Sequence, residues 1–193
     1  MDAERTTPRL AGHSARAKAK TAGVLYFLNI VTSLIAFSGK GSRTLIVASG
    51  LIATTSYIAV TILLYLLFKA VNPRLSLLAA FFSMSGCLVG VLGPFHVLPF
   101  RIHSLVFFGL YCLLIGVLII RSKFLPRILG GGMALAGLGW LTFVSHPLAA
   151  ALSPYHYIAG GIGEGLLTLW LLLKGIDAAR WYEQASSREL TAH

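Results

Sequence analysis

Twenty-five consecutive residues, Thr44 to Phe68, carry no charged side chain, and nineteen more, Leu75 to Gly93, follow with Asn72-Pro73-Arg74 turning the chain between them. In hydrocarbon every backbone N–H and C=O must be paired within the chain, so runs this long and this apolar can only be membrane-crossing helices. Ser104 to Ile120 is a further run of apolar and small residues, closed by the loop Arg121 to Arg127 with its Pro126. From Ile128 to Leu173 the only acidic or basic residue besides two histidines is Glu164. As one helix that stretch would be about 69 Å long, over twice the thickness of a hydrocarbon core, so it must fold back near Pro147, Ser153 and Pro154.

With the shorter run Gly23 to Phe37 before them, these segments predict an all-α, polytopic transmembrane bundle of six helices. They lie at about 23–38, 44–68, 75–93, 104–120, 128–144 and 158–173, in one domain spanning 23–174. Residues 1–22 read as a solvated basic tail, and 175–193 as a polar tail whose Trp181 and Tyr182 suit a headgroup layer. Ala36-Phe37-Ser38 loosely resembles a signal-peptide cleavage site, but the basic region before it is long, so a retained helix is expected.

Composition agrees: 56% of residues are hydrophobic, 11% are charged, and the mean hydropathy is +0.80, which leaves too little polar surface for a soluble globule. The formal net charge of +10 sits in tails and short loops rather than on a folded face. Anionic lipid headgroups are therefore the expected partners, and nucleic acid is not. Thirteen basic residues fall in the tails and alternate loops against three in the other loops, which predicts that both termini are cytoplasmic. Cys87 and Cys112 lie within apolar segments and suggest neither a disulfide framework nor a zinc ribbon. A proline and an arginine stand together before each odd-numbered helix, at Pro8-Arg9, Pro73-Arg74 and Pro126-Arg127, as helix-ending chemistry at a headgroup layer would give.

An ionisable side chain inside a span is a candidate functional residue, and Glu164 is the one acidic residue in any of them. Gly160, Gly161 and Thr168 share its helical face while Leu166, Leu169 and Leu173 point away, so it faces the bundle interior. The alternative is a helix-bridging carboxyl, with Gly161-x-x-x-Gly165 and the glycines of helix five serving close packing. His96, His103, His146 and His156 fall in the two loops on the side opposite the tails, above Glu164, and could hold a metal or relay protons. Their spacing is not that of a helical metal motif, and an interfacial role without a ligand stays open. Tyr26, Asn29, Thr32 and Ser33 form one polar face, and Thr54, Tyr57 and Thr61 another; they line a cavity or bond between helices. No Gly-x-Ser-x-Gly, His-Glu-x-x-His or Ser-His-Asp order occurs.

Helices four to six carry Leu105-Val-Phe-Phe-Gly-Leu110, Leu125-Pro-Arg-Ile-Leu-Gly130, Ala134-Leu-Ala-Gly-Leu-Gly139, Gly163-Glu164 and Leu169-Trp170-Leu-Leu-Leu-Lys174-Gly175. In these stretches the chain resembles a bacterial membrane family known as the domain of unknown function, number 4386, over about Ala22 to Gly175. The resemblance implies a six-helix protein of the bacterial plasma membrane with Glu164 as a family position, and it implies no activity, cofactor or metal. Tyr111 stands where the family pattern has histidine, which puts in doubt a metal or proton-relay role at that position. Glu164, the four histidines, Tyr111 and Asn29 are the candidate site residues. Three classes stay open: an enzyme or binder of a small molecule, lipid or cofactor centred on Glu164, a small transporter, and a structural subunit without chemistry.

Overall fold

The apolar runs do become helices, and local sequence sets where they start and stop. In the computed structural model, residues 2–93 and 103–191 are described, with side chains for 12–93 and 103–188. Asn72 accepts from the Leu75 N–H (3.1 Å) and Pro73 takes the first turn of α3, Pro73–Leu92. Ser42 does the same for α2, Arg43–Phe68, accepting from the Leu45 N–H at 3.2 Å. Gly39, at φ 62°, follows the end of α1, Asp2–Ser38, in the left-handed conformation that closes a helix. The remaining spans are α4, Ser104–Arg121, α5, Arg127–Leu141, and α7, Tyr155–Leu173.

Six helices are long and apolar enough to cross a membrane: Gly12–Ser38 of α1, then α2, α3, α4, α5 with its extension to Val144, and α7. Each packs on its sequence neighbour, and α7 returns to α1, so the six form a closed ring. Leu166, Leu169 and Leu173 face outward, as read from the sequence.

α5 is thin enough to be gripped from both sides. Gly130 and Gly137 meet Gly116 and Gly109 of α4, where an added Cβ would lie 2.7 to 3.0 Å from the facing glycine carbonyls. Two residues round the helix, Gly132 and Gly139 meet α7: a Cβ on Gly163 would overlap the Gly132 carbonyl, and one on Gly139 would lie 2.9 Å from the His156 carbonyl oxygen. Small residues let backbones approach this way where no hydrophobic force drives helices together. Gly161 and Gly165, expected to pack, face open space, as does Gly131. Gly160 and Gly163, one residue before and two after Gly161, take that role.

Both tails depart from expectation. The chain is helical from Asp2, and Ala15, Ala19 and Ala22 are buried, a small-residue face carried on a basic segment. The C-terminal segment forms α8, Ala178–Thr191, capped by Asp177, whose carboxylate accepts from the Ala179 and Arg180 N–H groups at 3.1 Å. Trp181 is tied to the ring, its indole N–H donating to the Leu67 carbonyl at 3.0 Å. Gln184 bridges the Lys123 N–H and the Arg121 carbonyl, so α8 ties the α2–α3 and α4–α5 loops together. At the opposite end helix five ends at Leu141, three residues short of the expected 144. A 3-10 turn, Thr142–Val144, and a short helix α6, His146–Ala151, complete the return, and α7 starts at Tyr155 rather than 158.

Candidate functional site

Glu164 stands on the inner face of α7, and three other helices reach it. Tyr26 of α1 donates its hydroxyl to Oε2 at 2.9 Å, and Trp140 of α5 donates its indole N–H to Oε1 at 2.6 Å. The Cys112 thiol of α4 lies 3.7 Å from the same Oε1. All three donors are neutral, so the carboxylate is held by hydrogen bonds without an ion pair. Gly160 makes this possible, because the Trp140 ring occupies the space where a Cβ would be.

Aromatic rings close the interior beside this hub. Tyr57 of α2 meets Tyr26 edge-on at 5.6 Å, Phe108 at 4.9 Å and Tyr111 at 5.8 Å. Thr61 of α2 and Ser83 of α3 share a hydrogen bond at 2.6 Å, so all six helices place a polar or aromatic side chain within the ring. Tyr111 is fully buried, and its hydroxyl has no hydrogen-bond partner.

Two turns toward the other end of α7, His156 is buried at 4% exposure with neither ring nitrogen bonded. Phe143, on the 3-10 turn, meets it edge-on at 4.8 Å, and Tyr157 lies at 4.2 Å. Those two nitrogens and the Tyr111 hydroxyl are all the buried, unpaired side-chain polar atoms among the described residues.

The candidate residues therefore separate. His103 and His156 each pack on Phe143, their rings 4.8 Å from its centroid. His103 is the N-cap of α4: its Nδ1 accepts from the Leu105 N–H at 3.2 Å, which puts the proton of the neutral ring on Nε2. Partial burial lowers its pKa below the ordinary 6.5. His146 is exposed at the start of α6, and His96 lies outside the described residues. Among the described residues no three His, Cys, Asp or Glu side chains gather as a metal would require. Asn29 bonds away from the hub, donating to the Ala53 carbonyl at 3.0 Å as a tie between α1 and α2. Thr32, Thr54 and Thr61 donate to carbonyls of their own helices, so the two polar faces are largely satisfied locally.

Trp140 is the hub member that sequence reading missed. A tryptophan one helix away from a buried acid has no spacing signature; the signal available was an indole N–H inside an apolar span, which needs an acceptor. Cys112, read as a small hydrophobe, also belongs to the hub.

Residues 99–175 match the model of a family described as Domain of unknown function (DUF4386). The match covers α4 to α7, and so Tyr111, Cys112, Trp140, His156 and Glu164, while Tyr26 and Tyr57 come from helices outside it. An "Uncharacterized protein" of Archaeoglobus fulgidus is 26% identical over 135 residues, which cover 61% of this chain and 76% of the relative. No solved structure matches. The likeness read from helices four to six is thus found again by independent comparison, and the chain is a multi-pass membrane protein whose residues 99–175 match the domain of unknown function DUF4386.

Proposed function

We propose that this is a membrane-embedded binding protein that takes a small molecule in the half of the bundle around Glu164, on the side opposite the tails. The supporting observation is where the unpaired polar atoms fall. Each buried donor or acceptor without a partner costs about 1 to 3 kcal/mol, and among the described residues such atoms lie on Tyr111, next to the hub's Cys112 in α4, and on His156, two turns along α7 from Glu164. A ligand with hydroxyl, carbonyl or amine groups would satisfy them, with Glu164 and its three donors fixing the wall against which it rests. The positive-inside count supports cytoplasmic termini and hence an outward-facing half, and the family resemblance supports a bacterial plasma membrane, against one relative that is archaeal.

Native mass spectrometry of protein extracted in membrane patches tests the reading. A bound small molecule of defined mass is expected on the wild type and is lost in Tyr111→Phe and His156→Phe. Wild type without any such adduct refutes it. The second reading, a structural hub, is favoured by the satisfied Glu164 carboxylate, and gains if both variants become more stable with no change in bound mass. Orientation is tested separately by single cysteines, in a background without Cys87 and Cys112, at Lys40, Ala150 and Lys69, all exposed positions. An impermeant thiol reagent applied to intact cells is expected to label the first two only.

A further inference from the structure

On the tail side of the ring, α1 carries Arg16, Lys20, Val24 and Leu28 at intervals of four, all exposed, so one stripe runs from cationic to apolar. The turn between α7 and α8 closes against its cationic end. Gly175, at φ 69°, brings its backbone so near that an added Cβ would lie 3.4 Å from Arg16 Cγ and 3.5 Å from Lys20 Cγ. Lys174 stands beside it, and Leu173, the last residue of α7, is exposed. The acids nearby are engaged elsewhere. Asp177 caps α8 and pairs with Arg180 at 3.3 Å, and Glu183 pairs with Lys123, so Arg16, Lys20 and Lys174 have no carboxylate partner among the described residues.

We propose that this junction of α1, α7 and α8 is a binding site for one anionic phospholipid. Arg16 and Lys20, about 6 Å apart along the helix, grip the headgroup phosphate, the guanidinium with two parallel N–H groups and the ammonium as a point charge. The acyl chains run along Val24 and Leu28 beside Leu173. α1 and the turn that leads from α7 into α8 both contribute to the seat, so the lipid also holds that turn against α1. The site lies at the other end of the protein from the Glu164 hub and does not depend on it.

Full-length protein is reconstituted in vesicles of phosphatidylglycerol and phosphatidylcholine in equal parts, and the lipids that stay bound on release are weighed by native mass spectrometry. Wild type is expected to retain phosphatidylglycerol preferentially. The double variant R16Q/K20Q is expected to reduce that preference about thirtyfold, the combined worth of two basic residues at an anionic surface. R74Q/R127Q removes as much charge from exposed positions on the same side and is expected to leave it unchanged. K20Q alone, expected to give a partial loss, serves if the double variant fails to fold. Equal loss in the control, no lipid preference in the wild type, or displacement of the lipid by millimolar inorganic phosphate would overturn the assignment.

Discussion

The middle of α7 and its far end lie on one face of one helix, yet they treat polar atoms in opposite ways. At Glu164 each carboxylate oxygen has a donor, drawn from helices up to 138 residues away in sequence. At His156, two turns on, both nitrogens are enclosed by aromatic rings and bond to nothing. The first region is arranged to hold the ring together. The second leaves bonding capacity unspent in a protein that pairs the hydroxyls of Tyr26, Thr32, Thr54 and Thr61 within the chain, and unspent capacity is where a ligand has something to offer.

The contrast breaks most readily at Gly160. Replacing it with valine drives Trp140 out of its place and removes its bond to Glu164, and we expect a loss of about 3 kcal/mol in chemical denaturation. Gly161→Ala, one residue away and facing open space, should stay within about 0.5 kcal/mol. A smaller loss, about 2 kcal/mol, is expected for Glu164→Leu, which strands the Trp140 and Tyr26 donors, whereas Glu164→Gln keeps one carbonyl acceptor and should lose about 1 kcal/mol or less. If Gln proves as costly as Leu, the charge rather than the hydrogen bonds matters at the hub. His156→Phe should do the reverse and raise the stability of ligand-free protein by about 1 kcal/mol, because it replaces an unpaired imidazole with a ring that suits its aromatic neighbours. A destabilised His156→Phe would mean that the histidine is held by bonds and that the two regions do not differ.

The smallest effect is a pH dependence at His103. Its pKa is lowered on folding, so the folded state favours the neutral ring, whose Nδ1 caps α4. That contribution is fully present above 6.5, the unfolded value, and is lost as pH falls through the lower folded value. A shallow decline in melting temperature below about pH 6.5 is expected in wild type and not in His103→Asn, which caps without titrating. An unchanged slope in the variant would assign the decline to another group.

The six spans were legible because hydrocarbon leaves a chain few options: an uncharged run of sufficient length is a helix, and a proline pair inside a long one is a return. What escaped was side-chain geometry. The buried stripe of Ala15, Ala19 and Ala22 was hidden by the basic residues between its members, although the spacing of four and three was there to be read. Gly160 and Gly163 could not be preferred over Gly161 and Gly165 from sequence, since the choice depends on a rotation of α7 of about 100° per residue. Glu164 was legible as a polar residue in the wrong solvent. That His103 and His156 would each pack on Phe143 was not, because ring stacking across a turn leaves no spacing rule.

Ring closure has a consequence for how the protein is made. Tyr26 is synthesised 138 residues before the glutamate it bonds, so the first span must wait in the membrane with its hydroxyl unanswered until the last span arrives. Chains that stop short of α7 leave the ring open and Tyr26, Cys112 and Trp140 without their shared acceptor. Such fragments present unmet polar groups to lipid, a mark by which a membrane protease can tell an unfinished chain from a finished one.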